Sequence, residues 1–129
     1  MKHKFLRDDA EGLLIVSVTL DGKYELKMAF DTGATHTTID SNALYLSGYS
    51  LKDKVGLVDI ETANGVIETE LFDIKKSSAL GNTKLNFQIQ VYDFLAHGIF
   101  SDYNGLLGLD FLENKNFCVS LIDKTIEIK

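Results

Sequence analysis

Runs rich in apolar and β-branched residues, bounded by turn residues, recur along this chain as expected of strands. Residues 13–20 form one such run and Tyr24–Phe30 another, and the Asp21-Gly22-Lys23 break between them predicts a hairpin. A three-residue loop opposes Leu20 with Tyr24, Val18 with Leu26, Val16 with Met28 and Leu14 with Phe30, giving one wholly apolar face. A two-residue loop would oppose Val18 with Glu25 and Val16 with Lys27, so the first register is preferred. A tight turn at Asp31-Thr32-Gly33 follows, then a β-branched run over 35–39. Asp40 or Ser41 can cap a short helix through Leu46, which Gly48 ends, and 49–54 read as a polar connection.

A second hairpin is expected over 58–74 about Asn64-Gly65, a strong two-residue turn signal. Its apolar face carries Val58, Ile60, Thr62, Ile67, Thr69 and Leu71. On its other face, that turn opposes Glu61 with Glu68 and Asp59 with Glu70, a self-repelling acidic back that suits a mobile flap. Residues 77–82 read as a turn, 85–91 as a strand, and 93–104 show no period. In 105–112, four leucines among two glycines predict a buried strand with close backbone approach at Gly108, and Asp110 is expected to cap a helix over 111–115. A last hairpin is expected from 117–122, an Asp123-Lys124 turn and 125–128. Residues 1–12 are charged and unpatterned apart from Phe5-Leu6, and are expected to form a flexible or docking arm ahead of a single mostly-β domain over 13–129.

Composition narrows the function classes. A net charge of −6, with no basic cluster longer than Lys75-Lys76, argues against nucleic acid and anionic membranes as partners. No stretch approaches the ~20 apolar residues of a membrane span, and Met1-Lys2-His3-Lys4 lacks the apolar core of a signal peptide. The single cysteine, Cys118, rules out an internal disulfide, favours a reducing, cytoplasmic setting, and is expected to be a small buried hydrophobe. His3, His36 and His97 are dispersed and form no ligand-spaced set with Cys118, so they read as surface residues and no metal or cofactor is expected.

The chemistry rests on Asp31. A lone Asp-Thr-Gly is an ordinary turn sequence and a weak signal by itself. Here three features stand in order: Asp31-Thr32-Gly33-Ala34 after a strand, a flap-like hairpin, and Leu106-Leu107-Gly108 before a short helix. In that arrangement, over roughly residues 13–128, the chain resembles the retropepsin-like aspartic proteases, single-domain relatives of the retroviral enzymes. The resemblance implies a closed β-barrel with a flap and one or two short helices. It implies that Asp31 is the catalytic carboxylate, and that Thr32 bonds across to a second such loop. Gly33 would leave space for substrate beside Asp31, and Ala34 completes the loop motif. Leu106, Leu107 and Gly108 would brace that loop, while Thr62, Ala63, Asn64 and Gly65 would cover a peptide substrate. Retroviral members dimerise through terminal strands; here 125–128 matches that role better than the charged residues 1–12.

The chemistry asks for a dimer independently of the family. A lone solvated aspartate is ionised at neutral pH and has no proton to give. Two adjacent carboxylates share one proton, and aspartic proteases are the standard instance. One Asp-Thr-Gly per chain therefore calls for a homodimer about a two-fold axis. The expected function is an aspartic endopeptidase; the alternative is a non-catalytic module that binds peptides or dimerises on the same fold. Proteolysis of a peptide mixture at acidic pH separates the two.

Overall fold

The computed structural model describes residues 1–63, 65–100 and 102–129. Its alternating sequence folds into two sheets. The larger contains β2 (Leu6–Arg7), β3 (Leu14–Leu20), β4 (Tyr24–Phe30), β5 (Thr38–Asp40), β6 (Lys54–Thr62), β7 (Gly65–Ala79), β8 (Asn82–Tyr92) and β9 (Gly105–Leu107), in the order β2-β3-β4-β9-β5-β8-β7-β6. Thr19 and Leu20 of β3 also pair with Ser78 and Ser77 of β7, which closes a ring of six strands into a barrel. At that closure the Asp21 amide donates to the Lys76 carbonyl (2.7 Å), and the Asp21 carboxylate accepts from the Lys76 amide (3.1 Å) and the Tyr49 hydroxyl. Burial, and then the Asp21 contact, raise the Tyr49 phenol above its usual pKa.

The period of two decides what the barrel encloses. Val16, Val18 and Leu20 of β3 and Leu26 and Met28 of β4 point inward, meeting Ile39, Phe72, Ile74, Ile89, Val91, Leu107 and Phe111. The β3–β4 register is the expected one, with Val16 opposite Met28, Val18 opposite Leu26 and Leu20 opposite Tyr24, and the paired ladder ends at Ile15 opposite Ala29. The left-handed backbone of that loop falls on Asp21 and Gly22, which tolerate it, and not on Lys23. Asp40 caps helix α1 (Ser41–Leu46), its carboxylate accepting from the Asn42 amide, and Gly48 (φ 101°) takes the chain out of it.

Residues 1–12 are docked. β1 (Lys2–Lys4) pairs with β11 (Thr125–Ile128), β2 pairs with β3, and Phe5 between them is buried. With β10 (Phe117–Ser120) they make a second sheet in the order β1-β11-β10. Strands this short and polar carry no readable alternation, and one buried residue, Phe5, anchors them. Cys118 is exposed, not buried: β10 is an edge strand, and its neighbour Phe117 makes the inward contact, edge-to-face on Phe30.

The region read as a turn over 77–82 is mostly strand. β7 runs to Ala79, and the turn is only Leu80-Gly81, both at positive φ as a type I′ hairpin requires. The flap hairpin keeps the expected faces with a different register. Thr62 lies opposite Gly65, Ile60 opposite Ile67, and Val58 opposite Thr69. On the back, Glu61 faces Val66, Asp59 faces Glu68, and Leu57 faces Glu70. The expected Glu61–Glu68 and Asp59–Glu70 pairs are therefore replaced by one opposed acidic pair. Both registers put the same residues on the same face, so the apolar pattern could not separate them. The observed one avoids a second like-charge opposition.

Candidate active site

The Asp31 loop lies at the C-terminal end of β9. β9 runs parallel to β4, with Ala29 opposite Leu106 and Phe30 opposite Leu107, and antiparallel to β5, with Thr38 opposite Leu106. It thus fills the gap between the two strands that the loop connects. Such an approach tolerates no side chain at either end of β9. A Cβ on Gly105 would stand 2.4 Å from the Thr38 carbonyl oxygen, and one on Gly108 would stand 2.7 Å from the His36 carbonyl carbon.

Main-chain bonds then stitch the loop to β9. The Asp31 amide donates to the Leu107 carbonyl (3.0 Å), and the Leu109 amide donates to the Ala34 carbonyl (2.9 Å). Within the loop, the Ala34 amide donates to the Asp31 carbonyl, and the Gly33 amide to Asp31 Oδ1 at 2.9 Å. Asp31 is half-buried, while Thr32 and Gly33 are exposed at the apex. A rigidly held carboxylate is thereby presented beside an uncovered loop tip.

A clamp that sequence reasoning missed lies beneath. Asp110 does not cap a helix over 111–115; a 3₁₀ turn spans Leu109–Leu112, and Gly108 takes the cap position. The Asp110 carboxylate instead accepts from the Thr37 amide (2.9 Å and 3.0 Å) and the Thr37 hydroxyl (2.7 Å). Thr37 Oγ1 in turn accepts from the Gly108 amide (3.1 Å). Sequence gives little warning of this, because the partners are 73 positions apart and Thr37 sits in a β-branched run that reads as strand. Thr37→Val should remove a buried donor and acceptor together, lowering stability by about 1–3 kcal/mol, with Thr37→Ser restoring most of it. Chemical denaturation of the three proteins checks this.

Of the expected site residues, Asp31, Ala34, Leu107 and Gly108 are brought into direct main-chain contact, with Leu106 in register between β4 and β5. Thr62, Ala63 and Gly65 stand at the tip of the β6–β7 ribbon, where Thr62 Oγ1 donates to the Gly65 carbonyl (2.9 Å). Asn64 lies outside the described residues. Among the described residues no group of three or more His, Cys, Asp or Glu could hold a metal ion. No described helix is long and apolar enough to cross a membrane.

A family model described as "Aspartyl protease" matches residues 16–111. Among solved structures, the chain resembles a retropepsin-like aspartic protease from Rickettsia conorii, with a TM-score of 0.72 at 19% identity, over 99% of this chain and 90% of that one. The two share a fold, mostly β and retropepsin-like. No curated protein matches the chain in sequence.

Proposed function

The chain belongs to the aspartyl protease family, and from that premise we propose that it is a homodimeric endopeptidase whose catalytic pair is Asp31 and Asp31 of the partner subunit. The observation that carries this reading is the braced Asp31 loop: its carboxylate accepts from the Gly33 amide, its backbone is tied to Leu107, and the Thr37–Asp110 clamp holds the segment that follows, next to an exposed Thr32-Gly33 apex. Two apices meeting on a two-fold axis would bury both and bring the carboxylates together.

In that pair one proton is shared. The ionised carboxylate takes a proton from a water, whose oxygen bonds to the scissile carbonyl carbon while the protonated carboxylate gives its proton to the carbonyl oxygen. Collapse of the resulting gem-diol breaks the C–N bond and re-forms the carbonyl: the amine nitrogen leaves with a proton from one carboxyl group, while a diol hydroxyl returns a proton to the other and restores the shared one. Neither carboxylate holds one role permanently, because such a pair titrates as a unit. Thr62, Ala63 and Gly65 at the flap tip would cover the peptide, and Gly33 leaves room for it beside Asp31.

The terminal sheet bears on how two copies meet. β11 is paired on both sides within its own chain, by β1 and by β10, so a partner strand cannot interleave there without displacing one. The open edges are those of β1 and β10. Incubation with a generic peptide mixture under weakly acidic and neutral conditions tests the activity. New termini produced faster in acid support it, and none in either condition would leave the peptide-binding alternative.

A further inference from the structure

Two loops outside the catalytic machinery form a groove whose chemistry the proposed reaction does not use. One is the link between β2 and β3, the other the segment between β8 and β9. Between them lies a cavity of about 400 Å³ walled by Leu95 and Phe100 on the apolar side and by Asp8, Glu11 and Asp102 on the acidic side. Among the described residues no cationic side chain lines it. Phe100 is 79% and Leu95 58% exposed, so the apolar wall is uncovered in this chain. A second cavity of about 470 Å³ continues from it past Asp8 and Asp102, where Arg7 and Lys27 offset the acids.

The β2–β3 link is held internally, and the segment across the groove is held at its two ends. The Asp8 amide donates to the Leu13 carbonyl (2.9 Å), the Gly12 amide to the Asp8 carbonyl (2.7 Å), and the Ala10 amide to Asp8 Oδ1. Across the groove, the Phe94 amide donates to the Asp40 carboxylate (3.1 Å), and Asn104 exchanges bonds with the Lys27 main chain. The groove also lies near Asp31. Arg7 pairs with Leu14 and Ile15 with Ala29, so Asp8 and Asp31 leave the sheet at the same end, two strands apart. That is about 10 Å at the usual strand spacing.

We propose that this groove is a specificity subsite that takes a lysine or arginine side chain of the substrate peptide, close to the bond cleaved. It rests on the peptidase reading above. The occupant follows from complementarity: the aliphatic stem of a basic side chain lies along Phe100 and Leu95, and its cationic head meets the three carboxylates. A glutamate or aspartate entering the same groove meets like charge at Asp8, Glu11 and Asp102. A norleucine side chain fills the apolar wall and brings no countercharge to the carboxylates.

Glu11 and Asp102 are exposed, so Glu11→Gln with Asp102→Asn removes charge at constant shape. Cleavage sites made by the wild type in a complex peptide mixture should be enriched in Lys and Arg at one position near the scissile bond. The double variant should lose that enrichment by about fivefold, the scale of an exposed ion pair, while cleaving at other sites as before. Binding is read separately on Asp31→Asn protein, with fluorescein-labelled short peptide pools fixed at one position as Arg, norleucine or Glu. The Arg pool should bind tightest, and the double substitution should level the three. An unchanged cleavage motif, or equal binding of the Arg and norleucine pools, overturns the proposal. Should the wild type cleave nothing, the peptidase reading falls and the binding arm alone decides the groove. A double variant that alters only the monomer–dimer equilibrium would show the groove to be covered by a second copy, which also overturns it.

Discussion

Asp31→Asn should abolish peptide cleavage and leave the fold intact. Asparagine keeps an Oδ1 that accepts the Gly33 amide bond, and the Asp31 amide and carbonyl bonds to Leu107 and Ala34 are main-chain and unaffected. What it removes is the ability to exchange a proton with water and substrate. Loss of that step should lower the cleavage rate by at least about 10³-fold, within the range of general acid–base contributions. Two asparagines at the two-fold axis carry no charge, so the dimer should hold at least as tightly as that of the wild type. Circular dichroism, thermal melting and sedimentation should therefore match the wild type while turnover vanishes. Cleavage retained by this variant would remove the protease assignment.

Gly105→Ala and Gly108→Ala should destabilise the protein far beyond the usual effect of one added methyl group. At both positions the new Cβ meets main-chain atoms inside 3 Å: the Thr38 carbonyl oxygen for Gly105, and His36 and Ala34 main-chain atoms for Gly108. Those atoms belong to β5 and to the loop that carries Asp31, so relief requires moving the site itself. Overpacking costs about 1–3 kcal/mol where side chains can yield, and these positions should reach or exceed the upper end. A fall in Tm of roughly 10 °C, with loss of activity, is expected for each. Gly56→Ala is the control, since its Cβ would make an ordinary 3.5 Å contact with the Leu71 side chain. Near-normal melting of either Gly105→Ala or Gly108→Ala would mean that β9 does not brace the loop as described.

The parts of this fold that could be read from sequence are those fixed by local rules. The β3–β4 register followed from one apolar face, the Asp40 cap from its place before a short helix, and the tight approach at Gly108 from a glycine inside a leucine run. The flap's faces were legible for the same reason, and its register was not, because a shift that moves both strands by one residue leaves every side chain on the same face. Three further features depend on distant partners. β1 and β2 are strands only because β11 and β3 are there to pair with them. Asp110 looks like a helix cap until Thr37, from a different segment, occupies it. Cys118 is apolar enough to be buried, and its exposure reflects the edge position of β10.

The central claim is that one active site needs Asp31 from two chains. It is tested most directly by mixing. Wild-type protein at fixed concentration is titrated with increasing excess of Asp31→Asn protein, after time for exchange, and peptide cleavage under weakly acidic conditions is followed. Heterodimers hold a single Asp31, so activity should fall toward zero as the variant captures wild-type chains, and the specific activity of wild type alone should fall on dilution. Activity that stays constant through a large excess of Asp31→Asn, from protein that sediments as a monomer, would contradict the account.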